Sequence, residues 1–213
     1  MHIGKFLGRR GSHKTTKKGV PKRDQYETPE IVSKALLKVF GPEIPPSSTI
    51  YCPCYGKGKL FNVLESYSID NCKKWVFLIR DLYADNEEEK EDYLTAPDYN
   101  YDFLIEHPPW GKNVVPFLNK AFKSNKPFLF LLSTEVLTYK ITNRVLRENG
   151  AIIYLIAPKP SFFHKGRKVQ VGGCMWVLGN CGKKINGLVF GETMELMDDD
   201  EEDDDDDEEE EED

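Results

Sequence analysis

No apolar run in this sequence approaches the length needed to cross a bilayer. Stretches such as Trp75 to Ile79 and Pro127 to Leu132 hold only five and six residues, against about 20 for a spanning helix. The first residues are basic or small and polar, with no apolar segment of signal-peptide length. An intracellular location, nucleus or cytoplasm, and no membrane partner are therefore expected. The five cysteines, Cys52, Cys54, Cys72, Cys174 and Cys181, are odd in number and show no disulfide or zinc spacing. Cys52-Pro53-Cys54 has no second close pair to complete a metal site, so free thiols and no metal are expected. Internal repeats are absent as well. The turn after Tyr51 lacks the Gly-x-Gly-x-x-Gly fingerprint, with Leu60-Phe61 near the place of its third glycine, which argues against a dinucleotide-dependent dehydrogenase.

What is present falls into three zones. Residues 1–23 form a basic arm with eight Lys or Arg residues and no apolar periodicity, expected to be mobile when free. A solvated tail, a phosphate-binding arm and a nuclear address of split basic clusters are all compatible with it. Residues 24–190 read as a single domain, large enough to bury a core. Residues 191–213 are expected to be a disordered acidic tail, because Asp198 to Asp213 is an unbroken run of 16 acids that repel one another and bury nothing. The run also masks the charge of the rest. The whole chain carries −7, but without the run 29 basic residues face 20 acidic ones, a balance of +9. A basic body suggests a polyanionic partner, nucleic acid first, and the tail suggests a protein partner or competition with phosphates.

Within the domain, strand-like runs alternate with helical patterns. Thr28 as N-cap and Pro29 at the first helical position predict a helix ended by Gly41. Strands are predicted at Thr49 to Tyr51, Trp75 to Ile79, Tyr101 to Ile105, Phe128 to Leu132 and Ala151 to Ile156, with helices at Leu60 to Ser66, Val115 to Ser124 and Val136 to Glu148 between several of them. Gly173 to Leu178 and Gly187 to Phe190 read as a late hairpin. This alternation predicts an α/β fold on a mostly parallel sheet with a late antiparallel hairpin.

Ligands of open α/β sheets bind beyond the carboxyl ends of the strands, and four unusual segments fall there. Cys52-Pro53-Cys54-Tyr55-Gly56-Lys57-Gly58 follows the first strand, and its glycines allow close backbone approach. Asp81 ends the second strand, where a carboxylate can hold ribose hydroxyls, and Asp92 lies in the following loop. His107-Pro108-Pro109-Trp110 follows the third strand and presents carbonyls and a ring on a rigid frame. Tyr26-Glu27-Thr28-Pro29 leads into a helix N-terminus, which offers amides to a carboxylate.

Together these segments resemble the amino-methylating DNA methyltransferases, especially the phage-type adenine enzymes, over about Asp24 to Leu178. The resemblance implies a Rossmann-like class I methyltransferase fold, S-adenosylmethionine as cofactor, and the exocyclic amine of a nucleic-acid base as acceptor, adenine in DNA before RNA. It implies cofactor contacts from Tyr26, Thr28, Cys52, Pro53, Gly56, Gly58, Asp81 and Asp92. His107, Pro108, Pro109 and Trp110 match the family's Asp/Asn-Pro-Pro-aromatic catalytic motif. Arg9, Arg10, Lys17, Lys18, Lys165, Arg167 and Lys168 would hold phosphates.

Two positions depart from that pattern. Cys52 stands where the family has an acid paired with the cofactor's ammonium, and a lost charge-assisted hydrogen bond costs about 1.5–3 kcal/mol; a Cys52 thiolate could replace it. His107 stands where the family has Asp or Asn. A neutral imidazole can accept one amine hydrogen, whereas a protonated one repels a cationic methyl donor. Two functional readings follow, an active methyltransferase and a catalytically inactive module of the same fold that binds nucleic acid or protein.

Overall fold

The computed structural model describes residues 26–164, 167–169, 172–181 and 189–196. In chain order these form α1 (Glu30–Phe40), β1 (Thr49–Cys52), α2 (Lys59–Asp70), β2 (Val76–Ile79), β3 (Phe103–Glu106), α3 (Val114–Lys123), β4 (Phe128–Ser133), α4 (Lys140–Glu148) and β5 (Ile152–Ala157). A small antiparallel ribbon, β6 (Phe162–His164) with β7 (Arg167–Val169), precedes β8 (Cys174–Gly179), β9 (Val189–Phe190) and β10 (Met194–Glu195).

The sheet runs β10-β5-β8-β4-β3-β1-β2, with β9 also on β5. Strands β1 to β4 are mutually parallel, and β8 enters antiparallel between β4 and β5. The α/β class and mostly parallel sheet are as expected. The antiparallel pairing is made differently from the expected pairing of Gly173 to Leu178 with Gly187 to Phe190. β8 pairs with β4 and β5, while β9 runs parallel to β5.

The sheet is buried on both faces because its central strands are continuously apolar. On β4 all six residues are buried, and they alternate between layers. Phe128, Phe130 and Leu132 face the core shared with α3 and α4, while Leu129 and Leu131 face the core shared with α1 and α2. Trp176 of β8, fully buried, donates its indole N–H to the Val32 carbonyl of α1 and so fixes that helix on the sheet.

Three boundaries differ from expectation. Pro29 rather than Thr28 is the N-cap of α1, because the Thr28 hydroxyl is engaged elsewhere. The 136–148 helix is broken at Tyr139, after the 3-10 turn Thr134–Thr138. Residues 191–196 were assigned to the tail, yet Met194–Glu195 pair with Ile156 and Ala157, and Met194 is buried in the core; an apolar residue flanked by threonine and glutamate has sheet to gain. Residues 1–25 and 197–213 lie outside the described residues.

Between β2 and β3 the chain carries no helix or strand beyond an isolated bridge from Asp81 to Lys90. Side chains hold this connection instead. Lys120 donates to the Tyr93 and Ala96 carbonyls, Lys126 to that of Tyr99, and the Tyr51, Tyr93, Tyr99 and Tyr101 rings pack together.

Candidate functional site

Four loops meet at the carboxyl ends of β1, β2 and β3, and specific bonds tie each to its neighbour. Gly58, at φ +75°, turns the chain from β1 into α2, and Gly56 adopts φ +56° just before it. Both are conformations that glycine adopts without strain. A side chain at Gly58 would also meet the Tyr55 phenol, whose hydroxyl oxygen lies 2.6 Å and nearest ring carbon 2.7 Å from the place of a Cβ.

Glu106, the last residue of β3, is the central tie. Its carboxylate accepts the Cys54 amide at 2.7 Å and the His107 amide at 2.7 Å, joining the glycine loop to the proline loop. Only 2% of it is exposed. Burial pushes its carboxyl up to about 7, against the opposing pull of the two amides.

Asp81 makes the next tie. One oxygen accepts the Gly56 amide at 2.8 Å and the other the Tyr83 amide at 2.7 Å. Asp92 caps the turn after it by accepting the Leu94 amide at 2.9 Å. On the other side, Glu27 forms an ion pair with Lys57 of the glycine loop.

His107 lies 2.9 Å through Nδ1 from the Thr28 hydroxyl. Its ring packs against Trp110 (centroids 5.1 Å apart) and Phe162 (5.9 Å), and Tyr26 lies 5.8 Å from Trp110. Trp110 is oriented by donating its indole N–H to the Leu131 carbonyl at 3.1 Å. Burial lowers the imidazole to about 4, so at neutral pH His107 carries no charge. The repulsion expected of an imidazolium beside a cationic donor does not arise.

Cys52 is different. It is 2% exposed, and burial followed by the field of Glu106 pushes its thiol well above the usual range, as it does for Cys54. A thiolate at Cys52 is ruled out on these grounds, since the same burial that packs the side chain removes the solvent a thiolate needs.

The structure thus brings Tyr26, Thr28, Cys52, Pro53, Gly56, Gly58, Asp81, Asp92 and the His107–Trp110 segment around one end of the sheet. Arg9, Arg10, Lys17, Lys18 and Lys165 lie outside the described residues, and of Arg167 and Lys168 only the backbone, in β7, is described. Two participants were missed by sequence reasoning. Glu106 was visible as a lone acid closing the apolar run Phe103-Leu104-Ile105, but nothing in the sequence distinguishes a strand-end acid in solvent from a buried one. Phe162 carries no motif of its own in the sequence, and its ring is fully buried against Trp110. A groove of about 800 Å³ between α1 and α2, lined by Ile31, Leu37, Val63 and Tyr67, contains none of these side chains.

No family model matches the sequence, and no curated protein matches it significantly. Solved structures do match. One is the methyltransferase subunit of a type I restriction-modification system from Streptococcus thermophilus, with 18% identity and TM-score 0.58, covering 79% of this chain and 47% of that one. A second, from Listeria monocytogenes, is assigned to the class I S-adenosylmethionine-dependent methyltransferases, with 12% identity, TM-score 0.59, and 85% and 70% covered. A third, from Vibrio vulnificus YJ016, is assigned as a modification subunit of a type I restriction enzyme, with 11% identity, TM-score 0.54, and 79% and 47% covered. The chain therefore has the Rossmann-like fold of the class I methyltransferases. It spans about half the length of the restriction-system subunits it resembles.

Proposed function

We propose that this protein is an S-adenosylmethionine-dependent methyltransferase acting on the exocyclic amino group of a nucleic-acid base, adenine in DNA before any other. The observation that carries the reading is the neutral His107, held on Thr28 and walled by Trp110 and Phe162, at the strand ends where the glycine loop also opens. Likeness to subunits of restriction-modification systems supports a nucleic-acid substrate.

The residues present fit the cofactor. Gly56 adds no side chain of its own to the turn before α2, and the amides at the start of α2 suit a carboxylate. On this reading Asp81 and Asp92 would receive a nucleoside's hydroxyl and amino groups through the acceptor capacity left beside the backbone amides they already bind. When bound, S-adenosylmethionine supplies a methyl group on a sulfonium. The chain's own contribution is alignment of the acceptor. In the tautomer whose Nδ1–H donates to the Thr28 oxygen, Nε2 is bare and accepts one amine hydrogen. The Pro108 carbonyl accepts the second, and the amine lone pair is freed from conjugation with the ring. A base flipped from a duplex would rest beside Trp110.

A second reading, a non-catalytic nucleic-acid- or protein-binding module, is favoured by Cys52, whose uncharged buried thiol offers no partner to an ammonium group. Labelled methyl transfer to unmethylated DNA and RNA separates the two, alongside calorimetric titration with the cofactor. Transfer by the wild type that is lost in Trp110→Ala supports the enzyme. No transfer by the wild type together with a gain in His107→Asn supports the module.

A further inference from the structure

We propose that the outer face of α4, with the turn that precedes it, is a second contact surface for the phosphate backbone of nucleic acid. This rests on the reading of the substrate as a nucleic-acid polymer and adds where the polymer runs beyond the site.

Lys140, Arg144 and Arg147 are exposed and spaced i, i+4, i+7, which places them on one side of the helix. At 1.5 Å rise per residue they span about 10 Å. None forms an ion pair among the described residues, whereas Lys34 on α1 is matched by Glu30 and Lys57 by Glu27. They line a groove of about 560 Å³ with Thr138 and Asn143, and Glu148 is the one acid in it. Beside the cations two large apolar side chains stand in solvent, Tyr139 at 52% and Ile141 at 56% exposure. Unpaired cations interleaved with an exposed ring suit phosphates and unstacked bases together.

The position fits as well. β4 ends at Ser133, at the same carboxyl end of the sheet as His107, and the chain turns through Thr134–Thr138 before α4 runs back. The Thr134 hydroxyl donates to the Gly173 carbonyl, fixing this turn against the approach to β8. Tyr139 and Lys140 therefore open the helix at the end of the sheet that carries the site, and Arg144 and Arg147 continue away from that end. A strand leaving the pocket on that side meets three cations in succession.

The test is the salt dependence of binding by the full-length chain to a labelled 25-base-pair DNA duplex and to single strands of DNA and RNA. Each phosphate contact contributes about −0.9 to the slope of log K against log salt for duplex and about −0.7 for single strands. In Lys140→Ala/Arg144→Ala/Arg147→Ala the slope should become shallower by about 2.7 on duplex or about 2 on single strands. A control, Lys34→Ala/Lys38→Ala/Lys74→Ala, lowers charge equally without touching α4 and should leave the slope within about one unit. S-adenosylhomocysteine affinity should be unchanged in both, which shows that the fold and the cofactor end of the site are intact. An unchanged slope in the α4 variant, or equal losses in both variants, overturns the surface while leaving the proposed activity standing. A wild-type chain that binds none of the three polymers overturns both.

Discussion

Glu106 and His107 are adjacent in sequence and titrate in opposite senses, which makes the pH dependence of stability a sharp test of the site. Glu106 is held at about 7 in the folded protein against an ordinary 4.5. Between those values the native state keeps a proton that the unfolded chain has released, so stability falls as pH rises. At about 1.4 kcal/mol per pH unit the loss reaches about 3 kcal/mol by pH 7. His107 is held at about 4 against 6.5. Over that interval the unfolded chain binds the extra proton, so stability rises with pH by about 3 kcal/mol and is lost again as pH falls through 4. The two nearly cancel from about pH 4.5 to 6.5, and single substitutions unmask them. Relative to wild type, Glu106→Gln should gain stability steadily from pH 4.5 to 7, and His107→Asn should lose it from pH 4 to 6.5, each by about 3 kcal/mol. Urea unfolding at a series of pH values, followed by tryptophan fluorescence, measures both. The acidic run and every other titrating group are common to all three proteins and drop out of the differences. Profiles that run parallel to wild type would show that neither side chain is buried as described, and the site's electrostatics would have to be abandoned.

Gly58→Ala forces φ +75° on a residue with a Cβ and drives that carbon into the Tyr55 ring; a loss of about 1–3 kcal/mol in urea unfolding is expected, and a neutral result would show the loop free to rearrange. Thr28→Val removes the only hydroxyl bonded to His107 among the described residues, so transfer should fall about a hundredfold through lost alignment; equal rates would remove Thr28 from the machinery. Deleting Asp198 to Asp213 should tighten DNA binding at low salt if the acids compete with phosphates, and unchanged affinity there ends that idea.

Periodicity and punctuation in the sequence determined much of this protein. The alternation of apolar runs and amphipathic segments made the α/β layering legible, because a parallel sheet buried on both faces demands continuous strands such as Phe128–Ser133. Glycines 56 and 58 and the proline pair before Trp110 marked the strand ends, since few backbone conformations accommodate them. Pairing was another matter. That β8 would pass between β4 and β5, and that β9 and β10 would both lie along β5, follows from long-range packing that local patterns do not encode. The same holds for charge. Whether His107 is an imidazolium, Cys52 a thiolate or Glu106 a solvated acid depends on how much water reaches each, and only the assembled sheet, with its helical layers in place, decides that.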